Sequence, residues 1–382
     1  MEFLLASIRK FVILGAIFLL ILPVAQAQEV HQEFQETVKA EVLEVTAEYE
    51  RDIMGTGAST TVQELRIQLK EGERVGEVVR LENDLAILRE GDSIYVNRLV
   101  SIDGSEYFTF KDVERKGPLV VLVFIFIALI IWLSGKQGVR ALFSLAISII
   151  AIIFVLIPAL LAGYSPALSS LVIAGFILSF TLFFTHGLKP RVFITFLGTF
   201  GAVMVTCLMA WIWVEWMRFT GFSDDAAVYL NFATDGTLDL TGLLLGSIII
   251  GLLGVLDDVS ITQASVVQQL KGANHNLGFK ELYSSAIKVG RDHVGSLVNT
   301  LAFAYVGAAL PLILLYSLSE SSILITLNQE VIAAEILRIV VGSIGLVLAV
   351  PLTTTLAAWY FKDKCIDEDG LHTCADHHQH SH

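Results

Sequence analysis

Apolar residues are distributed in two ways along this chain, and the change falls near Gly117. Before it, segments 42–49, 61–69, 75–81, 93–99 and 107–113 are rich in β-branched and aromatic residues. They often alternate in polarity, as half-buried strands do. Gly55-Thr56-Gly57, Glu71-Gly72-Glu73, Glu90-Gly91-Asp92 and Asp103-Gly104 punctuate them as turns. Five short strands at this spacing predict a small barrel of the OB or SH3-like kind. After Gly117, apolar runs cover 118–134, 141–163, 166–185, 192–213, 242–267, 296–318 and 339–361. Each falls in or near the ~17–25 residues that cross a bilayer. Their backbone is expected to be helical, because lipid offers no partner to a free amide.

An eighth apolar run, 11–24, follows Arg9 and Lys10 and precedes Ala25-Gln26-Ala27. These are the parts of a secretory signal peptide, and the run is short for a span. Whether 1–27 is cleaved as a signal or kept as an anchor, residues 28–116 are exported. Basic residues then fix the direction of the spans. Lys136, Arg140, Lys189, Arg191, Lys271, Lys280, Lys288, Arg291, Lys362 and Lys364 fall on the cytoplasmic side, against Arg218 and Arg338 on the other. Trp211, Trp213 and Trp216 sit where the fourth span would leave the membrane, as an interfacial aromatic belt does. The expected fold is a polytopic α-helical membrane protein with seven spans plus the N-terminal signal or anchor, bearing a small exported all-β domain. Its divisions are 1–27, 28–116, 117–361 and a cytoplasmic Cys/His-rich tail, 362–382. The expected location is the plasma membrane, with the C terminus in the cytoplasm.

Composition agrees. Of the 382 residues 54% are apolar and 16% charged, against roughly 25% charged in an ordinary soluble domain. So many apolar residues exceed what one soluble core hides, which excludes a disordered or purely soluble chain. The net charge of −13 argues against nucleic acid as a partner. The 3 cysteines give no disulfide framework.

The fifth run carries the candidate chemistry. Ser247, Gly251, Gly254, Asp258, Thr262 and Ser265 recur at helical spacing and share one face, with Asp257 turned about 100° away. An aspartate at mid-membrane costs about 2.5–3.5 kcal/mol on insertion scales, so two in succession are expected to face the bundle interior or water. The functional reading is a proton or cation relay, or a substrate contact. The alternative is a helix ending near Leu256, with both acids wet at the membrane boundary. Downstream, 279–288 reads as an interfacial amphipathic helix leading to Gly290-Arg291-Asp292-His293. Asp292, Ser296, Asn299 and Phe303 extend a stripe inward. Arg291 or Lys288 is a potential partner for the acids, or each snorkels to lipid headgroups. Gly251, Gly254 and Gly295 are expected at helix contacts, and Pro351 before Thr353-Thr354-Thr355 at a hinge or a fixed kink. The tail histidines, including His377, His378 and His380, match no structural zinc spacing. They read as a disordered, adventitious metal binder, so no metal or other cofactor is assigned.

Three stretches carry a family resemblance: Gly251-Leu-Leu-Gly-Val-Leu-Asp-Asp-Val-Ser-Ile-Thr-Gln-Ala-Ser, Gly290-Arg-Asp-His-Val-Gly and Asn299-Thr-Leu-Ala-Phe-Ala-Tyr-Val-Gly. With Gly138-Val-Arg-Ala-Leu and Leu160-Leu-Ala-Gly, they resemble the core of the YibE/F-like family over most of 117–361. The doubled Asp257-Asp258 departs from the family's single Asp-Val step, which Asp258-Val259 matches better. A looser analogy, at the level of fold alone, is to half of a resistance-nodulation-division or SecD/SecF-type transporter. The reading is a transporter or permease that uses Asp257, Asp258, Thr262, Ser265, Arg291, Asp292 and Asn299 for coupling or for contact with a small ion or solute. The alternative is a non-catalytic accessory or anchor protein whose exported domain binds a protein partner. Intramembrane catalysis is not expected. The two acids diverge on one helix, and no H-E-x-x-H motif is present.

Overall fold

The computed structural model describes residues 35–53, 57–100, 106–318, 322–367 and 370–373. The proposed signal or anchor at 1–27 and the histidines His377, His378 and His380 lie outside the described residues. The chain divides into two compact units, one ending at Leu133 and the other beginning at Ser134.

All five predicted strands form: β1 (Gln35–Asp52), β2 (Ser59–Leu69), β3 (Val78–Asn83), β4 (Ser93–Val100) and β5 (Glu106–Val113). They make one antiparallel sheet in the order β3-β2-β1-β4-β5. β1 is longer than expected because it pairs with β4 over its first half and with β2 over its second. Its polar opening, Gln35-Glu36-Thr37, hides that in the sequence. Register slips at 42–44 and 45–47 bend β1, as bulges do. β3 and β5 approach each other without pairing. The predicted barrel is therefore a half-barrel, not closed by hydrogen bonds. Alternate residues Leu65, Ile67 and Leu69 of β2 pack inward with Val38, Val42, Leu81, Ile94 and Val96, while Glu64 and Arg66 stay in water.

The rest is helical: α1 (Lys116–Leu161), α2 (Pro166–His186), α3 (Pro190–Trp216), α4 (Asp225–Ala233), α5 (Leu240–Ala273), α6 (Phe279–Ala308), α7 (Leu310–Ser317), α8 (Ile323–Asn328) and α9 (Glu330–Phe361). Five of these are long and apolar enough to cross a membrane, and six spans result if the bent pair α6–α7 counts as one. The first two predicted runs form a single 46-residue helix, α1. It is interrupted at Gly135 (φ 53°, ψ −131°) and contains a π-helical turn at Ile152–Leu156. The sixth run is broken too. α6 and α7 meet at 63° around Ala309, just before Pro311, which has no amide to continue the ladder. The segment 279–288 is not a separate interfacial helix but the opening of α6. Its Leu282 and Ala286 are buried against Ile194, Val267, Ala357 and Phe361. Part of the expected disordered tail is ordered as a hairpin of β6 (Lys364–Asp367) and β7 (Gly370–Thr373).

α5 is the central helix of this unit, packed on α2, α3, α6 and α9. Close approaches are made where a side chain is missing. A methyl group at Gly290 of α6 would stand 2.6 Å from Val350 Cγ1 and 2.9 Å from Gln263 Oε1. Similar absences set Gly198 on Thr353, Gly345 on Thr206 and Gly246 on Ser170. The two ends are tied by charged side chains. Lys271, 2% exposed, donates from Nζ to the carbonyls of His275 (2.7 Å), Leu277 (2.9 Å) and Lys362 (2.7 Å). At the other end Glu330 accepts from Thr220 N (2.9 Å), Thr220 Oγ1 (2.7 Å) and Gly221 N (2.7 Å). Gly221 has φ 87° and presses on the Leu240 backbone, a place only glycine fits.

Candidate functional site

The acids do not lie at a helix end. α5 runs unbroken through Asp257 and Asp258 to Ala273, so about 27 Å of helix precedes Asp258 and about 22 Å follows it. Two contacts set the depth of the antiparallel neighbour α6: Gly290 against Gln263, and Tyr305 Oη against Gly251. Between them, at 1.5 Å per residue, the acids are level with the 295–299 turn of α6. By the same measure Asn299 is level with the acids, whereas Thr262, Arg291 and Asp292 lie about one turn further along and Ser265 about two.

The two acids differ. Asp257 is half-buried, and its Oδ1 is enclosed without a hydrogen-bond partner. It stands three turns beyond Gly246, which meets Ser170 of α2, so both occupy the α5 face turned toward α2. Asp258 is exposed on the outside of the bundle, as are Gly251, Gly254 and Thr262, while Ser265 is half-buried and bonds back to Ile261 O (2.7 Å). Arg291, Asp292, Gly295 and Asn299 are likewise exposed on α6. No ion pair joins Arg291 or Lys288 to either acid among the described residues. A methyl group at Gly254 or Gly295 would meet nothing, and one at Gly251 only the Tyr305 hydroxyl. Pro351 lies inside the continuous helix α9, where Thr355 Oγ1 donates to its carbonyl at 2.7 Å.

Two groups were not singled out from sequence. Gln263 is buried where α5, α6 and α9 meet, and its Nε2 donates to Ala286 O (2.9 Å) and Thr354 Oγ1 (2.8 Å). Nearby Ser260 Oγ and Thr353 Oγ1 are enclosed without partners. His186, the last residue of α2, lies within electrostatic range of both Asp258 and Arg191. The signal for Gln263 was an amide in an apolar helix face, and for His186 an imidazole ending an apolar run. A carboxylate oxygen with no donor in reach is a ready acceptor for a proton or a cation. Among the described residues no group of three His, Cys, Asp or Glu side chains converges as metal ligands do.

These features define a class: a membrane-embedded bundle of long apolar helices, with a small β half-barrel and acidic side chains at mid-bundle. The YibE/F-like protein family matches residues 122–363, more than half of the chain. The chain belongs to that family. No solved structure and no curated protein matches it.

Proposed function

We propose that the protein is a transporter or permease of the plasma membrane, in which the paired acids of α5 couple movement of a solute to a proton or cation. Asp257 is the relay group and Asp258 its outer neighbour, exposed on the outside of the bundle and within electrostatic range of His186. The observation that carries this reading is the Asp257 carboxylate at mid-helix with a buried, unpartnered oxygen. An unpaired polar atom there costs stability, so a role in exchanging a small charged species explains it better than packing does. Seven spans fit the same picture. The 46 residues of α1 would be about 69 Å long if straight, more than twice the ~30 Å hydrocarbon core, so two crossings would join at the Gly135 break. The β half-barrel then lies outside and the C terminus in the cytoplasm.

The test is proton or cation flux into vesicles holding the full chain. Asp257→Asn should abolish pH-dependent flux with the folded protein still present at normal level. Unchanged flux in that variant removes the proposal. A second reading, an accessory protein, draws on the polar face of Asp258, Thr262, Asp292 and Asn299 that α5 and α6 leave exposed. It expects Asp257→Asn to be silent and deletion of residues 30–112 to abolish the phenotype.

A further inference from the structure

The end of the bundle nearest His186 holds a cavity of about 380 Å³, made wholly by the helical unit. α1 contributes Lys136, Gln137 and Arg140, α2 contributes Thr185 and His186, and the α2–α3 junction contributes Lys189 and Arg191. Four of the seven are permanent cations, a fifth is an imidazole, and no acid lines the space. Clustered cations repel one another unless something neutralises them. For long lysines and arginines at a membrane edge, the ordinary answer is a solvated, outward-pointing face.

Lys136, Arg140 and Lys189 are exposed and fit that answer in part, but two observations argue against it for the site as a whole. Arg191 Nε and Thr185 Oγ1 are enclosed and have no hydrogen-bond partner in the chain. A guanidinium edge and a hydroxyl held out of water are expensive to leave unmatched. The walls are also fixed. Ser144 Oγ donates to Thr181 Oγ1 at 2.9 Å, and the Phe143 and Phe184 rings lie 5.3 Å apart. Ser144 is one turn beyond Arg140 and Thr181 one turn before Thr185, so these contacts hold Arg140 of α1 at a set separation from Thr185 and His186 of α2. The link from α2 to α3 is short, with Gly187 at φ 79° and Pro190 opening α3. It leaves Lys189 and Arg191 little freedom to turn away.

We infer that this cavity is a binding site for a phosphate-bearing anion. The group must carry more than one negative charge to balance four cations. It must also offer several oxygens at once, to take the Arg191 and Arg140 forks together with the neutral donors Thr185 and Gln137. A phosphate does both, whether it belongs to a lipid headgroup or is free in solution. The volume is in the range of ordinary ligand sites, which run from about 300 to 1,000 Å³. This inference does not rest on the relay proposed for Asp257, and it stands if the protein moves no proton.

The experiment uses the full chain in phosphatidylcholine nanodiscs with two probes: radiolabelled inorganic phosphate, and retention of added phosphatidylglycerol followed by native mass spectrometry. Saturable binding of phosphate identifies a free anion as the ligand, and selective retention of phosphatidylglycerol identifies a headgroup. Either result supports the site if Arg140→Gln weakens it about tenfold or more, as loss of a charged hydrogen bond does. Arg140 is exposed, so that variant is expected to fold. Arg191→Gln should weaken binding further. Lys280→Gln, at an exposed cation outside the cavity, should leave binding unchanged. The inference is overturned if neither probe binds saturably, if Arg140→Gln and Arg191→Gln bind like the parent, or if Lys280→Gln weakens binding equally.

Discussion

The two units treat buried polar atoms in opposite ways. In the half-barrel, Gln63 is buried and fully used. Its Nε2 donates to Leu88 O (3.2 Å) and Glu48 (3.0 Å), and its Oε1 accepts from Leu88 N (2.8 Å). Asn83 closes the adjoining turn through Ala86 O (2.5 Å) and Leu85 N (3.1 Å). In the helical unit, by contrast, Asp257 Oδ1, Ser260 Oγ, Thr353 Oγ1, Thr185 Oγ1 and Arg191 Nε are enclosed and unmatched. Among the described residues no such atom falls in the half-barrel. An unmatched buried group costs about 1–3 kcal/mol. The helical unit therefore bears a cost that the half-barrel does not, and bears it where the relay and the basic site are proposed.

The contrast is broken most severely at Lys271, a buried polar group of the helical unit that is satisfied. Lys271→Met removes three hydrogen bonds and strands three carbonyls where α5 and α9 end. The expected loss is about 3 kcal/mol or more, read as a lower thermal midpoint of the full chain in detergent. An unchanged midpoint would mean that these carbonyls are met by water. Gln63→Leu is the matching lesion in the half-barrel. It leaves both Leu88 backbone groups unpaired, at an expected cost of about 2 kcal/mol. Faster hydrogen exchange at the Leu88 amide, with the helical unit unaffected, is the readout.

Asp257 sharpens the comparison from the other side. If its carboxylate were structural, Asp257→Leu would destabilise the bundle as Lys271→Met does. Because Oδ1 has no partner to lose, the thermal midpoint is expected to hold or rise, while pH-dependent flux disappears. A large drop in the midpoint would assign Asp257 to packing instead. The two readouts must move apart for a functional acid and together for a structural one.

How far the sequence carries depends on whether a feature is periodic or relational. The strands and most long helices were legible, because burial of alternate or every third-to-fourth residue writes itself into the chain. The carboxylate layer was legible as well, since two acids in an apolar run stand out at once. Which acid turns inward was not. Spacing groups Asp258 with Gly251 and Gly254, but only the packing of α2 and α9 decides that this face is left outside. The closest helix approaches fall at Gly198, Gly246, Gly290 and Gly345, which look no different from Gly254 in sequence. The length of β1 depends on partner strands distant along the chain. The basic cavity is the clearest case. Lys136, Arg140, Lys189 and Arg191 read as a topology signal, and only the fold shows that four of them ring one space.

The smallest expected effect tests how far surface charge supports the half-barrel. Arg98, its side chain 11% exposed, reaches Glu106 (2.8 Å), Glu36 (3.3 Å) and Glu73 (3.4 Å). The Arg98 hydrogen bond, helped by Arg74, holds the Glu106 carboxyl below the usual carboxylate range. A carboxyl depressed in the folded state contributes stability at pH values above its unfolded pKa, about 4.3. That contribution fades as the pH falls through the lower folded value and is gone below both. Asp112 and Glu114, depressed by Val113 N and Arg115 and by Lys39 respectively, act in the same direction. In Arg98→Met those two persist and the Glu106 contribution shrinks to the part that Arg74 supplies. Protection of the β4–β5 amides should therefore be slightly lower in the variant at pH 7, and it should fall less steeply than the parent's on acidification below pH 4.5. The difference is small because exposed pairs are screened by water and salt. Parallel acid slopes in the two proteins would show that the Arg98 cluster sets the position of the β4–β5 edge without stabilising it.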